Sequence, residues 1–256
     1  MERLSAHPAV GGYGELLLAG RDGWPDWPPG AGDRPFFTTY LKDRGIAASR
    51  MRSHLFLLRY LDYVYEPRRG WQAIGFKLMY DEVFPLPEVV AYLRVRNVRV
   101  LHLVRTNLLD IALSNMVIRQ RSSPLAWSPD EREMIPVHVD TDRLIPWLVW
   151  LDRQRRTART VLRTMRFNAH EVSYEELRVG DQPLDTALRF IGVADPSEIS
   201  TQSTMVKLAP DSHREGIANF DAVAARLAGT RFQRFLRGEA ERRSLPSGSD
   251  SLGWRR

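Results

Sequence analysis
The sequence predicts an α/β fold, a parallel β-sheet with helices on both faces, on three observations. Two short apolar runs, Trp71–Met79 (WQAIGFKLM) and Val98–Val104 (VRVLHLV), read as buried strands. A helical segment, Leu86–Val95, lies between them, and a third strand-like run, Asn168–Ser173, follows a long helical stretch. Strands alternating with helices in units this short argue for a parallel sheet rather than a hairpin stack.

Each element has its own warrant. Residues 1–20 read as the end of a helix, a turn at His7-Pro8 and a glycine-rich loop leading to Glu15, and the segment DGWPDWPPGAGDRP after them is loop by its proline and glycine content. Residues 35–65 carry helical spacing, with Leu57, Leu58, Leu61, Val64 and Tyr65 on one side. Asn107 is placed to cap a helix running to Gln120, because its short side chain accepts a hydrogen bond from the first free N–H groups. Ser122–Asp140 reads as loop, and Asp142–Phe167 as one long helix with Pro146 tolerated near its start. Leu184–Ile191 and Ala222–Phe235 read as shorter helices, and the basic tail from Arg243 as disordered. No internal repeat is visible.

Composition narrows the function classes. The chain has 256 residues, 43% of them hydrophobic, enough for one well-buried domain. Its longest apolar runs are far too short to span a bilayer, and no export signal opens it, so a cytoplasmic location is expected. There is no cysteine, hence no disulfide, thiolate metal site or cysteine nucleophile, and the six histidines show no metal-ligand spacing. A metal-free protein is expected. The net charge of +6 suggests an anionic partner. The densest basic patch, Arg153, Arg155, Arg156, Arg159, Arg163 and Arg166, reads as a solvated helix face. No nucleic-acid motif accompanies it, so no nucleic-acid partner is expected.

Ligands of open parallel sheets bind beyond the carboxyl ends of the strands. The run VRVLHLV ends at Arg105, and a helix begins within two residues, so a guanidinium, backbone N–H groups and the positive helix end converge there. Ser114 lies two to three turns along that helix. An arginine suits phosphate because its planar fork donates two parallel hydrogen bonds.

The block HLVRTNLLDIALS resembles the 3′-phosphate-binding segment of sulfotransferases that use 3′-phosphoadenosine-5′-phosphosulfate (PAPS). That resemblance implies Arg105 and Ser114 as the 3′-phosphate ligands. The serine follows nine residues after the arginine, one more than the family's commonest spacing, and Thr106 stands where some members carry a second arginine. HEVSYEELRVGDQPLDTALRFIGV is similar to the family's later block, which implies Tyr174 against the adenine; a core or capping tyrosine is the other reading. MVKLAPDSHREGIANFDAVAARLAGTRFQRFL and GFKLMYDE resemble the bacterial carbohydrate branch, with its nodulation-factor and trehalose sulfotransferases. Lys207 would then reach the donor's phosphates, or be a solvated lysine. Lys77, inside an apolar strand, needs an anionic partner, in the site or in a structural ion pair. SAHPAVGGYGELL resembles the loop whose glutamate is the catalytic base of that branch, implying Glu15, with a helix-start carboxylate as the alternative.

The resemblance covers about residues 4–237 and implies a P-loop-NTPase-like sheet. Met1 falls inside the helix that follows the family's donor loop, so the first strand and the 5′-phosphosulfate loop are missing from the chain as written. Either the start lies roughly 20 or more residues upstream, by the length of a strand–loop–helix unit, or the protein is shortened. The expected organisation is a sulfotransferase-like domain over 1–242 and a disordered tail over 243–256. The expected activity is sulfuryl transfer from PAPS to a hydroxyl of a carbohydrate or lipid-linked acceptor. The alternative is a non-catalytic nucleotide-binding relative. Loops Gly23–Arg34 and Ser122–Asp140 would shape the acceptor pocket, with Trp24, Trp27 and Trp127 stacking on a sugar or packing within their loops.

Overall fold
The computed structural model describes residues 2–17, 36–46, 54–83, 85–120, 136–196 and 212–236. Lys207, Trp24, Trp27, Trp127, the loop Gly23–Arg34, most of Ser122–Asp140 and the tail from Arg243 lie outside the described residues. The fold is α/β, helices with small parallel sheets, and the chain forms two compact units. One comprises stretches 1–106 and 154–203, the other 107–153 and 204–256.

In the first unit a short helix α1 (Glu2–Ser5) leads through the His7-Pro8 turn into strand β1 (Val10–Tyr13). Buried His7 fixes that turn: its Nδ1 accepts from the Ala9 N–H at 3.1 Å, and its Nε2 donates to the Asp195 carbonyl at 2.8 Å. Helices α2 (Phe37–Asp43) and α3 (His54–Val64) precede β2 (Ala73–Phe76), which pairs in parallel with β1 from Val10↔Ala73 to Tyr13↔Phe76. Helices α4 (Tyr80–Val83) and α5 (Pro87–Val95) lead to β3 (Val100–Val104). β3 pairs in parallel with β4 (Ala169–Ser173), Val100 opposite Ala169 and His102 opposite Glu171. Helices α8 (Tyr174–Val179) and α9 (Gln182–Ile191) close the unit.

The apolar spacing of α3 builds its core. Leu57, Tyr60, Leu61 and Val64 recur at three- and four-residue intervals, and all are buried against Tyr13, Phe37, Tyr40, Leu41, Val89 and Leu93. Each fully buried leucine contributes about 1.5–3 kcal/mol of transfer free energy. A smaller cluster, Val10, Leu184, Leu188 and Val193, seats α9 against β1.

The second unit contains α6 (Leu108–Gln120), the first part of α7 (Thr141–Thr164), α10 (His213–Gly216), α11 (Phe220–Leu227) and a 3₁₀ turn, Gln233–Leu236. Asn107 caps α6 as expected, its Oδ1 accepting from the Leu109 N–H at 3.1 Å while its Nδ2 donates to the Phe235 carbonyl at 3.2 Å. Leu109, Leu144, Leu148, Val223 and Leu227 form the core. Buried Asp110 and His213 meet at 2.6 Å inside it.

Four expectations are corrected. The glycine-rich segment is strand, not loop: Gly11 and Gly12 lie within β1, all four of whose residues are buried. The glycine serves close approach, since a Cβ on Gly11 would stand 2.2 Å from a ring carbon of Trp71. The long helix stops at Thr164, and Arg166 adopts a left-handed φ of 52° that ends any continuation. The stretch Ala222–Phe235 is not one helix, because Gly229 at φ 70° breaks it after Leu227. Lys77 is not buried in a strand: the pairing ends at Phe76, and the lysine side chain is 43% exposed, which spares its ammonium the cost of desolvation.

Candidate functional site
The sequence-derived candidates of the first unit sit at the carboxyl ends of its strands. Beyond β1 and β2, the Lys77 ammonium donates to the Glu15 carboxylate, and the Lys77 backbone N–H bonds the Tyr13 and Gly14 carbonyls at 3.1 Å. Glu15 is the more enclosed partner. Beyond β3 and β4, the Arg105 guanidinium lies over the Tyr174 ring, 4.7 Å from its centroid. The Arg105 carbonyl accepts from Arg155 Nη1 at 3.3 Å. Ser173 starts α8 in extended conformation, its hydroxyl accepting from the Glu176 N–H, and this turn presents Tyr174.

Glu175 qualifies the anion site. Its carboxylate accepts from the Thr106 N–H at 2.9 Å and from the Ser173 hydroxyl at 3.0 Å. A carboxylate thus takes the first backbone N–H after Arg105 that an anionic ligand would use. Ser114 lies half-buried on α6, in the second unit, whereas Arg105 belongs to the first. Lys207 lies outside the described residues.

Two groups of residues escaped the sequence reading. The first is a hydrogen-bonded chain across β3 and β4. Tyr80 of α4 meets His102 Nε2 at 2.6 Å, His102 Nδ1 meets Glu171 Oε2 at 3.0 Å, and Arg159 of α7 holds both Glu171 oxygens at 2.6 and 2.8 Å. The patch read as a solvated face is therefore divided. Arg155 and Arg159, one helical turn apart, turn toward the sheet, while Arg153, Arg156, Arg163 and Arg166 are exposed. Burial holds His102 below its usual value, with Glu171 opposing and Arg159 and Arg155 adding to the shift. Glu171 is raised by burial, but the Arg159 guanidinium and His102 outweigh that and hold it below the ordinary carboxylate range. Burial, helped by Glu171, pushes the Tyr80 phenol up to about 12. At neutral pH the chain is a neutral tyrosine, a neutral histidine and an ionised glutamate.

The second group is Glu82, on the same short helix as Tyr80. One of its oxygens accepts from the Met79 N–H at 2.7 Å, while the other, Oε1, is buried without a hydrogen-bond partner. Burial pushes this carboxyl up to about 7, against the pull of the Met79 N–H, with Glu15 and Asp81 adding repulsion and Lys77 opposing it. The sequence does not mark Glu82, because burial, the largest cause of its shift, is a product of the fold. A carboxyl with a value near neutrality beside the Glu15–Lys77 pair is what proton transfer at neutral pH requires.

Among the described residues no three histidine, aspartate or glutamate side chains converge to hold a metal ion. None of the described helices is long and apolar enough to cross a membrane. No protein-family model, no curated protein and no solved structure matches the chain.

Proposed function
We propose that this protein is a PAPS-dependent sulfotransferase acting on a hydroxyl of a carbohydrate or lipid-linked acceptor, on a P-loop-NTPase-like sheet. One observation carries the reading: Arg105 and Tyr174 stand together at the carboxyl ends of two paired parallel strands, a guanidinium for a phosphate beside an aromatic face for a base. The motif HLVRTNLLDIALS, with Ser114 as the second 3′-phosphate ligand, supports it, and Lys207 is assigned to the donor's phosphates. The Glu175 carboxylate at the Thr106 N–H must swing aside for the anion.

In this reading Glu15 takes the proton as the acceptor oxygen attacks sulfur. The new O–S bond forms as the bond from sulfur to the bridging phosphate oxygen breaks, and adenosine 3′,5′-bisphosphate (PAP) leaves with that electron pair. Lys77, already paired with Glu15, orients the carboxylate and offers a cation to the charge developing on the sulfuryl group. Incubation with 35S-labelled PAPS and a panel of neutral oligosaccharides tests the activity. Transfer of label, lost in Glu15→Gln and reduced in Lys77→Ala, is the expected result. Absence of transfer by a chain that binds PAP would leave the alternative, a nucleotide-binding protein that does not catalyse.

A further inference from the structure
The nucleotide site carries an anion of its own. Thr106 follows Arg105 just beyond β3, and Glu175 follows Tyr174 in the first turn of α8, just beyond β4. Glu175 Oε1 accepts from the Thr106 N–H at 2.9 Å, and Oε2 accepts from the Ser173 hydroxyl at 3.0 Å. The carboxylate thus joins the turns at the ends of two paired parallel strands, one oxygen held from each turn.

A carboxylate oxygen and a phosphate oxygen use a backbone N–H in the same way, as charged acceptors of one hydrogen bond. The Thr106 N–H cannot serve both at full strength. A phosphate brought to Arg105 also meets the negative charge of Glu175, whose neighbour Tyr174 lies under that guanidinium at 4.7 Å. An anion therefore binds with an affinity lowered by the small fraction of molecules in which the carboxylate has let go.

Ligands differ in how they meet this carboxylate. A free phosphate or sulfate has only its anion contacts with which to displace Glu175. A nucleotide adds the stacking of its base on Tyr174. A 3′-hydroxyl does not compete at all, because it donates to a carboxylate instead of taking the N–H. We propose that Glu175 is a specificity-determining residue of this site, an internal competitor that keeps free inorganic anions out and admits a phosphate only when a base binds with it. The inference rests on the nucleotide reading of Arg105 and Tyr174 and adds what decides which phosphates enter.

Calorimetric titration of the full chain and of Glu175→Gln with PAP, 5′-AMP and inorganic phosphate tests it. Glutamine removes the charge but keeps an acceptor for the Thr106 N–H, so the two turns stay joined; Glu175→Ala, which removes both, is the second variant. Glu175→Gln should tighten PAP about tenfold, the size of one charged hydrogen bond, and change AMP less than about threefold. Inorganic phosphate, unbound by the wild type at about 10 mM, should bind Glu175→Gln in the roughly millimolar range and lose that binding when Arg105→Ala is added. A readout on the wild type needs no substitution: the Thr106 amide resonance should shift with PAP and stay in place with phosphate. Equal binding of PAP and phosphate by the wild type and both folded variants would overturn the inference and leave the nucleotide reading standing, as would a Thr106 shift with phosphate alone. Phosphate gained through Arg105 with neither nucleotide bound would strike the nucleotide reading and leave Glu175 as a competitor of anions. No ligand bound by any folded form would overturn both.

Discussion

Glu82→Gln should remove a pH dependence that the wild-type fold carries. In the folded chain the Glu82 carboxyl is pushed up from 4.5 to about 7, chiefly by burial. The unfolded chain therefore releases this proton first as pH rises. The stability tied to the protonated form is complete below pH 4.5 and is lost as pH climbs through about 7. At about 1.36 kcal/mol per pH unit the shift, already net of the Met79 N–H, is worth about 3 kcal/mol, of which the interval from pH 5 to pH 8 spans about 2–3 kcal/mol. Glutamine keeps the shape and hydrogen-bonding capacity of the protonated acid but cannot ionise. Urea denaturation of both proteins at pH 5 and pH 8 measures the effect. The stability difference, variant minus wild type, should move by about 2–3 kcal/mol in favour of the variant between the two pH values, whatever constant offset the amide introduces. A difference that does not change with pH would refute the reasoning, because Glu82 would then be as readily ionised in the fold as outside it.

Other predictions follow from single contacts. Glu171→Gln should cost about 1–2 kcal/mol at pH 7 by weakening its hold on Arg159. That cost should fade in acid, since the stability from a depressed carboxyl exists above 4.5 and is lost as pH falls through the folded value; urea titrations from pH 7 to pH 3 would show it. Gly11→Ala should destabilise by about 1–3 kcal/mol, because the new Cβ drives into the Trp71 ring, and Trp71→Ala in the same chain should reduce the penalty in a thermal-melt cycle. His213→Ala should cost about 1–3 kcal/mol, because buried Asp110 loses its 2.6 Å hydrogen bond to the imidazole; a fall in the denaturation midpoint checks it.

The parts of this molecule that were legible in its sequence are those whose signal is local. The strand that ends at Val104, just before Arg105, the cap at Asn107 and the buried stripe Leu57, Leu61, Val64 each follow from spacing within a dozen residues. Gly11 and Gly12 were misread because a glycine's usual reason, a turn, competes with close packing, and the partner, Trp71, lies far along the chain. Lys77 was placed in a strand because the apolar run continues past it, whereas the ladder ends one residue earlier. At the candidate site the motifs named Glu15, Lys77, Arg105 and Tyr174 one by one, whereas the contacts of Glu15 with Lys77 and of Arg105 with Tyr174 are made by the fold. Tyr80, His102, Glu171 and Arg159 were invisible because helices α4 and α7 and strands β3 and β4 each supply one member. Their alignment is a product of the parallel register His102↔Glu171, which no single segment encodes.

The central claim is that Arg105 and Tyr174 form a site for a nucleotide carrying a 3′-phosphate, and calorimetric titration with PAP against 5′-AMP tests it most directly. The account predicts roughly micromolar binding of PAP, AMP weaker by at least about tenfold, and loss of that preference in Arg105→Ala. A folded chain that binds neither nucleotide, or binds both alike with Arg105 intact, would contradict it.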